Sequence, residues 1–173
     1  MHKWIAVLSL LGSLLLVNYA VFNKEQHLAN GVSVFVKLAP VDPRSIMQGD
    51  YMVLRFELAD NIRQVLAAQG ADEHDLAAQD GRVIVQIDDK QVASFVALDH
   101  GQPLAANQQR LHYRLRDKQV KFATNSYFFE EGQAEVYASA QYAEFKVNSA
   151  GELLLSALHD QQLKRLGPAL VTP

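Results

Sequence analysis

The sequence contains no cysteine. A disulfide, a zinc site with thiolate ligands and a cysteine nucleophile are therefore all excluded. Positive charge is not in excess either, because 16 Lys and Arg stand against 19 Asp and Glu, for a net charge of −3. A chain with this balance has no overall attraction for nucleic acid, so we expect no nucleic-acid partner. Its 173 residues suffice for one domain with a real core and are too few for two ordinary ones.

Formal charge is also absent from residues 4–22, which read WIAVLSLLGSLLLVNYAVF. A helix of these nineteen residues rises roughly 28 Å, which matches a hydrocarbon core of about 30 Å. We therefore predict that residues 1–23 form an uncleaved transmembrane anchor. Lys3 precedes the apolar run, and the positive-inside tendency then puts the N-terminus in the cytoplasm. The expected location is the bacterial inner (cytoplasmic) membrane, crossed once, with the rest of the chain extracytoplasmic.

A cleaved signal peptide is the main alternative, because Lys3 would equally serve as its positive first region. Its best cleavage site, after VNYA, puts Asn18 where a small residue belongs, and the apolar run is longer than usual. Both features favour the anchor. A buried helix of a soluble domain is a further alternative, but such helices are rarely apolar on every face.

Residues 24–30 continue the helical pattern as a short stalk up to Asn30 and Gly31, which favour a helix end. No linker rich in Pro, Gly or Ser follows it. The folded domain should therefore lie close to the membrane surface, and we expect its partners in or on that membrane.

Residues 31–160 read as one mostly β domain. Val32, Val34 and Val36 alternate with polar positions, as in a strand with one buried face. The same period continues in further segments. A helical pattern runs from Asp60 to a break at Gly70, a short second helical piece ends at Gly81, and a further short helix is predicted near residue 135. The predicted strands lie at 32–38, 51–58, 82–98 (a hairpin turning at 88–90), 109–116, 118–123, 142–148 and 152–158. The predicted class is α+β, a predominantly antiparallel β domain with a small helical insertion. Residues 161–173 should form a loose C-terminal tail.

The segment DPRSIMQGDYMVLRF, residues 42–56, combines turn signals with a strand pattern. Asp42 can cap a helix whose first position is Pro43, and Gly49 can adopt the left-handed conformation that ends it. This pattern predicts a first strand, a capped helical corner and a return strand.

Residues 49–56, GDYMVLRF, resemble the signature of the GDYXXLXY family of bacterial membrane-anchored proteins, with Phe56 in place of its last tyrosine. The preceding PVDPRSIMQ and the later YFFEEGQAE are also similar to that family, so the likeness covers nearly the whole chain. The resemblance implies a membrane anchor, an exported β-rich domain and association with a multispanning membrane protein, but no known activity. The motif residues are Asp42, Pro43, Arg44, Gly49, Asp50, Tyr51, Leu54 and Phe56.

The motif can be read chemically or structurally. Asp50 beside Arg44 would stay ionised and could bind a cation or polarise a substrate, whereas simple pairing across the corner is the structural interpretation. A serine-lysine hydrolase like the membrane-anchored signal peptidases is the sharper enzymatic hypothesis. Ser45, however, lies only four residues before Gly49, too close for that family's spacing. We predict no catalytic residue and leave the question of enzymatic activity open.

Two other groups of charged residues are candidates for binding. DEHD, residues 72–75, could hold a divalent cation loosely, but a solvated loop explains it as well, and we predict no metal site and no cofactor.

The second group is a basic stripe on alternate positions of one strand, which predicts either a solvated sheet face or a surface for anionic lipid, polymer or protein. It consists of Arg110, His112, Arg114 and Arg116. The sequence thus predicts a noncatalytic accessory or interaction subunit, with a membrane-surface hydrolase as the alternative.

Overall fold

The computed structural model of the chain describes residues 2–39, 51–68 and 78–168. Its helices are α1 (His2–Asn30), α2 (Glu57–Ala68) and α3 (Ala134–Tyr137). Its strands are β1 (Val32–Lys37), β2 (Tyr51–Val53), β3 (Gln79–Ile87), β4 (Ala93–Leu98), β5 (Gln108–Arg116), β6 (Gln119–Lys121), β7 (Ser126–Phe128), β8 (Tyr142–Val147), β9 (Leu153–His159) and β10 (Arg165–Leu166). The predicted α+β class, with antiparallel strands and a small helical part, is confirmed.

Two four-stranded antiparallel sheets form the body of the domain, in the orders β1-β8-β9-β10 and β4-β3-β5-β6. They meet at two places: the amide of Phe35 donates to the carbonyl of Gln91 at 2.8 Å, and the amide of His112 donates to that of Gly151 at 2.8 Å. Joined in this way, the sheets curve into a half-barrel. A third, two-stranded sheet pairs β2 with β7.

The inner faces of both sheets supply the core, as their period-two patterns predict. Val34 and Val36 of β1 are fully buried, as are Leu111 and Leu115 of β5. Helix α2 covers one side with a stripe at four-residue spacing, the repeat that places side chains on one helical face. This stripe consists of Leu58, Ile62 and Leu66.

The strand predicted over residues 51–58 is shorter in the structure. β2 ends at Val53, and α2 begins at Glu57. Leu58 explains the difference, because it fits the alternation of Met52, Leu54 and Phe56 and also the four-residue repeat of α2. Packing on the core selects the helical repeat. The short helical piece predicted to end at Gly81 is wrong at that end, because residues 79–81 pair with β5 as the start of β3. Within the segment predicted as a loose tail, Arg165 and Leu166 form β10 by pairing with the end of β9.

Helix α1 continues from the predicted anchor through the predicted stalk without a break. It is long and apolar enough to cross a membrane. Its large apolar side chains between Trp4 and Phe22 are 46–74% exposed. Water is a poor environment for so much apolar surface, so the helix is suited to lipid or to another apolar partner.

Candidate functional site

The second half of the signature lies on β2 and the residues after it. Leu54 and Phe56 are each about 1% exposed and point into the core. The Phe56 ring contacts Phe122 at a centroid distance of 5.5 Å and Phe145 at 5.6 Å. These two signature positions therefore anchor the strand to the core, and the aromatic residue at 56 acts by packing.

Tyr51 faces outward instead. Its ring lies 5.5 Å from that of Phe128 on the paired strand β7, and Phe128 is 74% exposed. The first half of the motif, Asp42, Pro43, Arg44, Gly49 and Asp50, lies outside the described residues, as do Ser45 and the DEHD segment. The predictions made for those residues stay predictions.

A cleft opens beside the signature strand, with a volume of about 280 Å³. Val53 and Arg55, the outward positions on either side of Leu54, line this cleft, and α2 contributes Asp60 and Arg63. We call this feature the signature cleft. Its lining consists of Ala39, Val53, Leu54, Arg55, Phe56, Ala59, Asp60, Arg63, Gln119, Val120 and Asn125.

A second polar group lies on the outer face of the sheet formed by β1, β8 and β9. The hydroxyl of Ser33 donates to Oε1 of Glu144 at 2.8 Å, and Nζ of Lys146 donates to the Ser33 hydroxyl at 2.7 Å. Nε2 of His159 lies 3.0 Å from the other carboxylate oxygen of Glu144. We call these four residues the Glu144 cluster. Nothing in the sequence had singled them out, because the pairing of β1 with β8 brings Ser33 to a residue 111 positions away.

The charges of the Glu144 cluster follow from its contacts. Burial alone would raise the pKa of Glu144, but the hydrogen bonds from Ser33 and His159 and the charge of Lys146 lower it below its ordinary value. Nδ1 of His159 lies 3.0 Å from the carbonyl oxygen of Leu163, so both ring nitrogens face acceptors. The Glu144 carboxylate therefore lies between the Ser33 hydroxyl and the His159 ring, with the Lys146 ammonium 3.7 Å away.

This arrangement differs from that of a hydrolase. In a Ser-His-acid triad the histidine contacts the serine, whereas here the glutamate lies between Ser33 and His159. In a serine-lysine pair the lysine must accept the serine proton, but Ser33 gives its proton to Glu144, and Lys146 is itself a donor. These contacts connect β1, β8 and β9 and therefore suit a structural role.

The junction between α1 and the domain adjoins the same strand. Nε2 of His27, in the last turn of α1, lies 2.9 Å from the carbonyl oxygen of Lys146, which requires the imidazole to donate at this nitrogen. A Cβ atom added to Gly31 would lie 2.6 Å from the carbonyl oxygen of His27 and 2.9 Å from Cβ of Lys146. Glycine at position 31 thus lets the backbone pass close to His27 and Lys146, and β1 begins at the next residue. Because of these contacts, the end of α1 is held against the sheet.

The predicted basic stripe is partly neutralised within the domain. The side chain of Asp99 has no exposed area. Its carboxylate oxygen Oδ2 pairs with Nε of Arg110 at 3.0 Å and with Nε of Arg82 at 3.1 Å. Burial would raise the pKa of Asp99, but the Gly101 amide and the two guanidinium groups together lower it. Arg116 pairs with Asp80 at 2.7 Å.

His112 and Arg114 are exposed. A guanidinium nitrogen of Arg114 donates to the carbonyl oxygen of Ala123 at 3.4 Å. The observed acidic partners of the stripe are Asp99 for Arg110 and Asp80 for Arg116. Anion binding by this face stays a prediction.

Three or more potential metal ligands do not come together anywhere in the described parts of the chain. The chain has no match among curated proteins, and none among solved structures. The model of the family described as "GDYXXLXY protein" matches residues 13–158, which run from within α1 to Leu158 in β9. That stretch contains the signature and three residues of the Glu144 cluster, Ser33, Glu144 and Lys146. The chain therefore belongs to the GDYXXLXY family.

Proposed function

We propose that this protein is a noncatalytic accessory subunit that binds a multispanning protein of the bacterial inner membrane. In this proposal α1 crosses the membrane with its N-terminus in the cytoplasm, and the β domain lies on the outer side. One observation carries it: an apolar helix with exposed side chains on all faces is attached to the domain without a linker. The resemblance stated for residues 49–56 implies the same kind of partner.

The junction supports a fixed position of the domain. From Phe22 to Asn30 the helix rises about 12 Å beyond the hydrocarbon core, and the bond between His27 and Lys146 then holds it to β8. A rigid attachment at this height keeps the domain next to the outer surface of whatever protein surrounds α1. A freely tethered enzyme would need no such contact.

Asn18 supports a protein neighbour within the membrane. Its amide nitrogen donates to the carbonyl oxygen of Leu14 at 2.8 Å, but within the described residues its amide oxygen has no donor. A polar group left without a partner in hydrocarbon is costly, and polar side chains commonly join transmembrane helices. A donor on a neighbouring helix would satisfy Asn18.

Site-specific photocrosslinking in intact membranes tests this proposal. A photoreactive residue at position 14 shares the face of Asn18, and one at position 16 lies on the opposite face. We expect position 14 to crosslink to one multispanning protein, position 16 to crosslink mainly to lipid, and Asn18→Leu to weaken the first crosslink severalfold. Lipid adducts alone at both positions would contradict the proposal.

The anchor itself has a separate test. The full chain should stay in the membrane pellet during alkaline carbonate extraction, and its first residue should be retained. Release into the supernatant, or a mature N-terminus near residue 21, would refute membrane anchoring by α1. An enzymatic activity that disappears in Ser45→Ala or Asp50→Asn, with thermal stability unchanged, would refute the noncatalytic role.

A further inference from the structure

The signature cleft contains a guanidinium group that has no partner among the described residues. Arg55 lies between the buried residues Leu54 and Phe56, so its side chain points outward, and it is exposed. Its backbone carbonyl accepts the amide of Ala39 at 2.8 Å. Its guanidinium makes no hydrogen bond or ion pair with any part of the chain that the structure describes. As far as the described residues are concerned, a planar group with five donors is therefore available to a ligand.

A second arginine, Arg63, also lines the cleft. One terminal nitrogen of Arg63 pairs with Asp60 at 3.2 Å, a contact between successive turns of α2. A single such bond uses only part of the guanidinium, which carries five N–H donors. Together Arg55, Arg63 and Asp60 give this cleft a net positive charge, and positive charge in a concave surface attracts anions.

Asn125, another residue that lines the cleft, carries an acceptor that lacks a donor. Its side-chain oxygen Oδ1 is buried and has no hydrogen-bond partner among the described residues, although the backbone carbonyl of the same residue accepts the amide of Leu54 at 2.7 Å. An unsatisfied buried polar atom is costly, and native proteins contain few of them. A rotation of the Asn125 side chain toward a ligand N–H group in the cleft would remove this cost.

We propose that the signature cleft binds a small organic carboxylate that also carries an amide N–H. The carboxylate would lie against Arg55 and Arg63, since guanidinium groups pair with carboxylates through two parallel bonds. The N–H would donate to Oδ1 of Asn125 once this buried side chain turns toward the ligand, and a small apolar group would contact Val53 and Ala59, which are partly exposed. A volume of about 280 Å³ limits the ligand to a small molecule, because it lies just below the usual range of ligand pockets, roughly 300–1,000 Å³. This proposal is independent of the membrane partner.

Titration of the full chain in phospholipid nanodiscs, followed by saturation-transfer NMR of the ligand, tests it. N-acetylalanine is the probe, because it has a carboxylate, an amide N–H and a methyl group. We expect binding in the millimolar range, as is typical of a ligand with so few atoms. N-acetylalaninamide, which lacks the carboxylate, should not bind, and inorganic phosphate should compete if the arginines alone recognise the oxyanion.

Two variants locate the binding. Arg55→Gln removes the free guanidinium and should weaken binding at least tenfold, and because Arg55 is exposed this variant should keep the fold. Asn125→Leu should weaken binding severalfold. Lys90→Gln, which removes one positive charge in the exposed β3–β4 turn, is the matched control and should bind as the unaltered chain does. Three results would each overturn the proposal: no binding of N-acetylalanine at the highest concentration tested, equal binding of N-acetylalanine by Arg55→Gln and Lys90→Gln, or equal binding of N-acetylalanine and N-acetylalaninamide.

Discussion

Glu144→Gln should destabilise the domain at neutral pH far more than its conservative shape suggests. The change keeps the size of the side chain and removes the negative charge between Ser33, Lys146 and His159. Hydrogen bonds to charged groups contribute roughly 1.5–3 kcal/mol each, and Glu144→Gln weakens those with Ser33 and His159. The side chains of Glu144 and His159 are 13% and 7% exposed, so solvent screens their interaction little. We expect Glu144→Gln to lower the free energy of unfolding by about 3 kcal/mol.

The pH dependence gives this prediction its sign. The pKa of Glu144 is lowered in the folded protein, so the carboxylate contributes stability that is fully present above the ordinary glutamate pKa of 4.5. That contribution is lost as the pH falls through the lowered value. The unaltered protein should therefore lose stability in acid through this group, whereas Glu144→Gln, which cannot titrate there, should not. The difference between the two should shrink as the pH falls below 4.5.

Thermal or urea unfolding of the full chain in detergent, between pH 3 and pH 8, measures both effects. Glu152→Gln is the matched control, because Glu152 is exposed and accepts only a hairpin bond from Asn148 at 2.8 Å, and it should change stability by less than about 0.5 kcal/mol. A double-mutant cycle with His159→Gln would show the coupling directly. Equal losses in Glu144→Gln and Glu152→Gln at pH 7, or a difference that does not vary with pH, would refute this account of the cluster.

Three further predictions concern packing and the junctions. Phe56→Ala should cost about 3–5 kcal/mol in urea unfolding, because its ring packs against Phe122 and Phe145; the exposed Phe128→Ala should cost less than about 0.5 kcal/mol, and similar losses in both would contradict the packing role. Gly151→Ala should lower the free energy of unfolding more than Gly101→Ala does in the same assay. Both glycines have positive φ, but only a Cβ atom at Gly151 would meet a backbone oxygen, that of Arg110, at 2.7 Å. Equal losses would argue against close contact between the two sheets at Gly151. His27→Ala should speed amide exchange around Lys146 and Gly31 while costing only about 1 kcal/mol of stability, and unchanged exchange would show that His27 does not hold the helix to the sheet.

The extent of sequence-based prediction differs from element to element. The hairpin at residues 88–90 was predictable because Asp88 accepts from the Lys90 amide at 2.8 Å, a local contact typical of Asx turns. Leu58 was misassigned because both periodicities fit it and only its packing with Ile62 decides between them. The acids that neutralise Arg110 and Arg116 could not be named, because Asp99 and Asp80 reach them through strand pairing rather than through sequence proximity.

The sequence by itself determined the anchor-like helix, the alternating strands and the family, since these depend on local composition, period and a contiguous signature. Tertiary structure alone decided what the polar residues do. The register of β1 on β8 placed Ser33 beside Glu144, and the position of α2 against the signature strand formed the cleft that brings Arg55, Arg63 and Asn125 to one place. Such contacts join residues far apart in the chain, and their geometry is set by how the buried faces pack together.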